Sequence, residues 1–482
     1  MNLAGLINDH DAESVAVVDR GEHVTYGDLR RRVAAMQSDL ADRGVGEDSV
    51  VALVTGNDLA FVVAMLSVLG LGGIVMPLNP GSPTPELVRK LDVAHPELLL
   101  IGHAGRAHLD AKSITTETVD LIELASAAAS ATDVPDRIVV ERADDAAAFY
   151  LATSGVSGNA KVAVLTHRNL AWIHDALDEL DSPTTKDDVA LGALPFGHIF
   201  GLNVVLLGML HAGGTLVLQQ RFDADESLRL VQEHGVTMLA GAPPMWQRWL
   251  ASDMPDDVLA SVKYAASGAA ALPISVFEAV KKRFGIEIAQ GYGLTETSPI
   301  VTLGRGFPVR PTSVGRVLPG VEVALVDEAG TPVDLGDEGE IVVRSPGVFA
   351  GYLDDVESTE SALSEDGWLW TGDVGIFDDD GYLYLVDRIK DIVIVSGFNV
   401  YPAEVENVLM AHPKVQGAIV TGAVDAMTGE AVVAHVTGTA TEDELHDHVA
   451  EHLSRYKQPT VYHFLDELPI APNGKAIRRA LR

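Results

Sequence analysis

The stretch from Leu151 to His167, LATSGVSGNAKVAVLTH, carries the residue types that hold a polyphosphate. Thr153, Ser154 and Ser157 offer hydroxyls. Gly155 and Gly158 let backbone N–H groups approach an anion, and Lys161 adds a cation. It is not a Walker A loop, because Gly155 and Lys161 lack the G-K-[ST] ending. Alone, a Ser/Gly-rich turn between two elements is an ordinary connection. Val156 and Val162 also stand where a further hydroxyl and a glycine would be more natural.

A second stretch, AQGYGLTETSP, sets Tyr292 between Gly291 and Gly293, which leaves its ring free as a stacking platform. Thr295 adds a hydroxyl for a phosphate oxygen, and Glu296 a carboxylate for Mg²⁺. In WLWTGDVG, Asp373 sits between tight turns, where a carboxylate can accept both hydroxyls of a ribose. In VDRIKDIVIVSGFNVYPAEVE, Arg388 and Lys390 precede a glycine turn at Ser396–Phe398, and APNGKAIRRALR presents Lys475 just after a Pro-Asn-Gly turn. Each has a plain alternative as a turn, a cap or a solvated tail.

The elements that must position these residues alternate between helix and strand. YGDLRRRVAAMQSDLADRG reads as a helix ending at Gly44, SVVALVTG as a strand, GTLVLQQ as a strand, ESLRLVQEHG as a helix and VTMLAG as a strand. This predicts an α/β fold with parallel sheets covered on both faces. LAFVVAMLSVLGLGGIVMPL is long enough to cross a bilayer. Gly70, Gly72, Gly73 and Pro77 instead favour a buried helix over 59–69 running into a strand over 73–77. From Val314 the chain turns to short antiparallel strands, and beyond Asp387 to a compact α+β unit. The expected organisation is a large multi-subdomain N-terminal domain, residues 1–386, with parallel sheets plus a β-rich portion, and a small mobile α+β C-terminal domain, residues 387–482.

Composition narrows the classes. A net charge of −35 opposes binding to nucleic acid and to anionic membrane surfaces. With no cysteine, disulfides, thiol catalysis and cysteine metal sites are excluded. MNLAGLINDHDAES has no basic stretch leading into an apolar core, so no signal peptide and a cytoplasmic location are expected. HVAEH, with His448 and His452, fits a zinc-protease pattern but reads as a charged surface helix, and Asp378 and Asp380 in FDDDGYLY read as a hairpin turn rather than a Ca²⁺ site.

In this order the motifs resemble the adenylate-forming superfamily of acyl-CoA synthetases, luciferases and peptide-synthetase adenylation domains. The likeness extends over nearly the whole chain, through VTYGDLRRRV, VMPLNP, LPFGHIFGL, SGAAALP, GYGLTETSP, VGRVLPGVEV, GEIVVRSPGVFAGY, WTGDVG and NGKAIRR. The resemblance implies that a carboxylate attacks the α-phosphate of Mg·ATP to give an acyl-adenylate, from which CoA displaces AMP. It implies that Lys475 neutralises the α-phosphate, that Thr295 contacts it and that Glu296 holds Mg²⁺. Tyr292 would stack on adenine, edged by Gly268, Ala269 and Gln290, with Asp373 and Arg388 on the ribose. Ser396, Gly397 and Phe398 would line the pantetheine tunnel, and His198 would stand by the reacting carbonyl.

The family loop usually reads T-S-G-[ST]-T-G-x-P-K-G, so Val156, Ala160 and Val162 depart from it. Losing one hydroxyl bond to a phosphate costs roughly 1.5–3 kcal/mol, which slows adenylation without abolishing it. No Lys or Arg occurs between Lys186 and Arg221 and no Asp in LPFGHIFGLNVVLLGML, which disfavours malonate-like and amino acids. An acyl pocket of His198, Phe200, Gly201, Val204 and Met245, with Trp246 nearby, suits an alkyl or aryl tail. The resemblance is strongest to bacterial fatty-acyl-CoA ligases, with aryl acids open. The rivals are an acyl-AMP ligase that stops at the adenylate and a catalytically impaired homologue that only binds nucleotide or acyl-CoA.

Overall fold

The structure is a computed structural model that describes residues 1–106, 114–153, 161–388, 391–395, 398–425, 428–471 and 476–481. Two large sheets dominate. In one, Ile288–Tyr292, Tyr264–Ser267, Met238–Gly241, Val189–Gly192, Thr215–Leu218 and Val15–Asp19 run parallel in that spatial order. Antiparallel strands flank them at both edges. In the other, Ala147–Thr153, Ile74–Leu78, Val50–Val54, Leu98–Ile101 and Glu117–Asp120 are parallel. There the antiparallel edge is made by Lys161–Thr166 and Gly351–Tyr352.

The helix Leu59–Gly70 touches both sheets: it packs against Ile74–Leu78 of one, and its Leu59 N–H donates to the Asp19 carboxylate of the other at 3.0 Å. Every one of its residues is buried, as expected of a helix that is apolar all round and covered on all sides. Its start is set by Asp58, whose carboxylate accepts the Phe61 N–H at 2.9 Å and the Thr55 hydroxyl at 2.7 Å. Among the described residues no helix is long and apolar enough to cross a membrane. The strand after it begins at Ile74, one residue later than the sequence suggests. The amphipathic helix Tyr26–Asp42 packs against Leu59–Gly70, capped by the Thr25 hydroxyl on the Asp28 N–H, and ends just before Gly44 at φ +89°.

The β-rich portion is an antiparallel sheet of Glu322–Val326, Gly339–Arg344, Leu369–Phe377 and Leu383–Arg388. At its last hairpin the Asp378 carboxylate accepts the N–H groups of Asp380 and Tyr382, and Arg310 pairs with both Asp378 and Asp380. These aspartates shape a turn. The small C-terminal domain has its own apolar core, built from Val393, Val400, Val405, Leu409, Val432, Leu445 and Val449 among others. Its sheet contains Val393–Val395, Phe398–Val400, Val415–Asp425, Gly429–Gly438 and Val461–Phe464, covered by the helices Pro402–Met410 and Glu442–His452. The strand Leu383–Arg388 leads toward this domain, and the Asp387 carboxylate accepts the Ala403 N–H at 2.8 Å.

Candidate active site

The strand Ile288–Tyr292 ends in a turn that only glycine can make. A Cβ on Gly293 would lie 1.4 Å from the Pro299 carbonyl oxygen. This close return of the chain fixes the Tyr292 ring, which is buried, and its hydroxyl donates to the Asp373 carboxylate at 2.8 Å. Asp373 is itself buried on the strand Leu369–Phe377, where its N–H donates to the Thr371 hydroxyl and its backbone lies opposite Arg388. The carboxyl of neighbouring Glu340 is held above its ordinary value, first by burial and then by the Asp373 charge. The Tyr292 ring is therefore not left free as its flanking glycines suggest: it is buried with Ile300 and Val301, and its hydroxyl is tied to the expected ribose carboxylate.

Gln290 is committed to structure. Its side-chain oxygen accepts the Leu272 N–H at 2.9 Å and its amide donates to the Pro311 carbonyl at 2.6 Å, so it holds the wall beside Tyr292 in place. Ala269 is exposed in the left-handed conformation at φ +72°. Gly268 lies against the Phe200 ring, since a Cβ there would come within 3.1 Å of it.

A second cluster forms around Glu296, in the short turn Thr295–Thr297. Its Oε1 accepts the Tyr352 hydroxyl at 2.7 Å. The Lys161 ammonium stands over the Tyr352 ring, 4.9 Å from its centre. Lys161 faces Thr153 across the two strands that frame the candidate phosphate loop. A half-exposed carboxylate with one oxygen held by a neutral donor and, among the described residues, no hydrogen bond to the other suits a hard divalent cation that takes its remaining ligands from phosphates and water. The Glu296 site thus fits Mg²⁺.

Val162 corrects the sequence reading. It is fully buried, pairs with Ala152 inside the sheet and packs with Ala52, Val54, Met76 and Leu78. It is a core strand residue, and its side chain is not a missing part of a phosphate cradle.

Of the acyl-side candidates, Phe200, Gly201 and Val204 lie in a π-helix, Phe200–Leu207, a wide helical turn often found at functional sites, His198 just precedes it, and Met245 is on the helix Pro243–Ala251. A Cβ on Gly201 would press into the Leu194 and Pro195 carbonyls at 2.6 and 2.4 Å, so Gly201 serves a close backbone crossing. Val204 packs into the cluster that contains Tyr292, His198 is half-buried beside Phe200, and Met245 is buried. Trp246 is fully buried, with its indole N–H on the Ala266 carbonyl at 3.1 Å. The sequence reading missed Asn203. Its buried amide donates to the Ser298 carbonyl at 2.6 Å and to Leu170, and its oxygen accepts the His174 Nε2–H at 2.9 Å. Tyr352 was missed too, although its Gly-Tyr motif was visible; its partners lie far away in the chain.

Ser154, Gly155, Val156, Ser157, Gly158, Ala160, Lys390, Ser396, Gly397 and Lys475 lie outside the described residues, as do the side chains of Arg388 and Phe398.

Fold and site together define an enzyme of the adenylate-forming class. The model of the AMP-binding enzyme family matches residues 8–353, and that of the AMP-binding enzyme C-terminal domain matches residues 404–475. 4-Coumarate–CoA ligase 5 from Oryza sativa subsp. japonica is 33% identical over 96% of this chain and 89% of its own length. 4-Coumarate–CoA ligase 1 from Petroselinum crispum is 31% identical over 96% of this chain and 89% of its own. ATP-bound MatB from Rhodopseudomonas palustris has a TM-score of 0.91 and 32% identity, covering 100% of this chain and 98% of that one. The o-succinylbenzoate CoA synthetase of Bacillus subtilis with its acyl-adenylate intermediate scores 0.89 at 28% identity, covering 100% and 98%. The chain belongs to the AMP-binding enzyme family, and its enzyme class is that of the AMP-forming acid–thiol ligases. The two 4-coumarate–CoA ligases carry an aryl acid in their names, whereas the sequence points first to fatty acids.

Proposed function

We propose that the protein activates a hydrophobic carboxylic acid, an aryl or arylalkenyl acid before a long alkyl one, as its acyl-adenylate and passes the acyl group to CoA. One acid oxygen forms a bond to the α-phosphorus of ATP while the bond to pyrophosphate breaks. The CoA sulfur then bonds to the acyl carbon, and AMP leaves with the bonding electrons. Tyr292 and Asp373 hold adenosine through its base and ribose, Thr295 contacts the α-phosphate, and Glu296 holds the metal. A Mg²⁺ ion held by Glu296 would supply positive charge against the phosphate oxygens. Lys475 neutralises the α-phosphate in the first step, and Arg388 contacts the ribose. Ser396, Gly397 and Phe398 border the path of the pantetheine arm once the C-terminal domain has turned about a hinge near Asp387.

The Tyr292–Asp373 hydrogen bond supports this reading most directly, because it joins the two expected adenosine contacts at the end of a parallel strand. The absence of any Lys or Arg between Lys186 and Arg221 supports an uncharged acyl tail. The half-exposed Phe200 ring against Gly268 supplies an aromatic surface beside the nucleotide wall.

The test is pyrophosphate release with Mg·ATP across cinnamic, benzoic and C2 to C16 fatty acids, with and without CoA. CoA-dependent release with an aryl acid is expected. Release with fatty acids alone would move the substrate class to alkyl acids. Acyl-AMP that accumulates without reaching CoA would make the protein an acyl-AMP ligase. Silence with every acid, alongside measurable ATP binding, would overturn the enzymatic reading.

A further inference from the structure

Tyr352 touches two candidate groups that the chain places far apart. Its hydroxyl donates to Glu296 at 2.7 Å, and its ring lies under the Lys161 ammonium at 4.9 Å. The segment around it is fastened at several points. The Phe349 N–H donates to the Glu296 carbonyl at 2.9 Å, that of Ala350 to Val164 at 3.0 Å and that of Leu353 to Val162 at 2.8 Å. The Phe349 ring meets that of Tyr352 edge-on at 4.9 Å, and the Tyr352 N–H donates to the Thr359 hydroxyl at 2.9 Å. A short strap thus ties the strand that starts at Lys161 to the turn that carries Glu296.

We propose that Tyr352 is a positioning residue that orients the Glu296 carboxylate toward the divalent cation and seats Lys161 beside the nucleotide phosphates. The proposal rests on the reading of Glu296 as the metal carboxylate. A carboxylate with one oxygen held by a fixed donor presents the other in a single direction, so the cation need not order the side chain as it binds. Among the described residues, the Tyr352 hydroxyl is the hydrogen-bond donor to this carboxylate. The ring acts separately. The aromatic face holds the Lys161 ammonium by the ring quadrupole, and the Asp355 charge acts on it as well.

The two roles separate by substitution. Tyr352→Phe removes the hydroxyl and keeps the ring under Lys161, whereas Tyr352→Leu removes both. Mn²⁺ binding to the protein with a non-hydrolysable ATP analogue, followed by electron paramagnetic resonance, reads the metal directly, and analogue binding without metal reads the nucleotide. With Tyr352→Phe, Mn²⁺ affinity should fall about tenfold while metal-free analogue binding holds. With Tyr352→Leu, metal-free analogue affinity should fall as well. Glu296→Gln, measured beside them, tests the underlying reading. If Glu296→Gln binds Mn²⁺ as the unaltered protein does, the metal role of Glu296 fails. If Glu296→Gln weakens Mn²⁺ and Tyr352→Phe stays within twofold of the unaltered protein at equal thermal stability, the Tyr352 proposal alone is overturned.

Discussion

Tyr292 and Asp373 are 81 positions apart, yet the tyrosine hydroxyl lies 2.8 Å from the aspartate carboxylate, with both side chains buried. The bond joins the end of a parallel strand to the antiparallel β-rich portion, so the proposed adenosine side of the site spans two subdomains. In the proposed function a ribose would meet a carboxylate already oriented by the Tyr292 phenol and by the turn at Gly372, which has φ +69°.

Substitutions at this pair should act on nucleotide binding first. A hydrogen bond to a charged group contributes about 1.5–3 kcal/mol, so Asp373→Ala should raise the KM for ATP at least about tenfold. Tyr292→Phe keeps the ring and removes only the hydroxyl, so its effect on KM should be several times smaller. Initial-rate kinetics with varied ATP at saturating acid check this. An unchanged KM in Asp373→Ala would remove Asp373 from the ATP site.

Val162 offers a test in the opposite direction. If the departure from the family glycine weakened the phosphate loop, Val162→Gly would restore activity. Its burial within the strand predicts instead a stability loss of about 2–4 kcal/mol, from the lost side chain and the added backbone freedom, with no gain in adenylation rate. Urea unfolding and pyrophosphate release on one preparation distinguish the two. A faster and equally stable variant would overturn the core assignment.

Two buried histidines set a pH dependence of folding. Burial holds the imidazoles of His167 and His174 down to about 4, with Arg142 and the N-terminus adding to the effect at His167 and His211 at His174. In the unfolded chain both take a proton as the pH falls through about 6.5, whereas the folded protein resists until about 4. Their contribution is therefore complete above about pH 6.5 and is lost progressively toward pH 4, on the order of 3 kcal/mol for each. Urea midpoints at pH 4.5, 5.5, 6.5 and 7.5 should fall on acidification, and His174→Gln should flatten that fall. An equal slope in the variant would remove His174 from the account.

What was legible in the sequence is what is written locally. Asp378 and Gly381 form a hairpin because an Asp side chain can accept N–H groups a few residues ahead and Gly381 can adopt φ +77°. The helix Leu59–Gly70 and the strand after it could be read from an apolar run broken by glycines, and Gly291, Tyr292 and Gly293 announced a tight turn at a strand end.

Contacts set by strand register could not be read this way. Tyr352 meets Glu296 and Lys161 because the short strand Gly351–Tyr352 pairs with Lys161–Thr166, and no local pattern specifies that pairing. The same register turns Val162 from an apparent loop defect into a core residue, since side chains alternate faces along a strand and this one faces the apolar layer beneath. Gln290 looked like a nucleotide contact until both ends of its amide met Leu272 and Pro311. Residue types thus determined which chemistry this protein can perform. The pairing of distant strands decided which of those residues meet, because burial rewards the alignment of whole elements and no single residue encodes it.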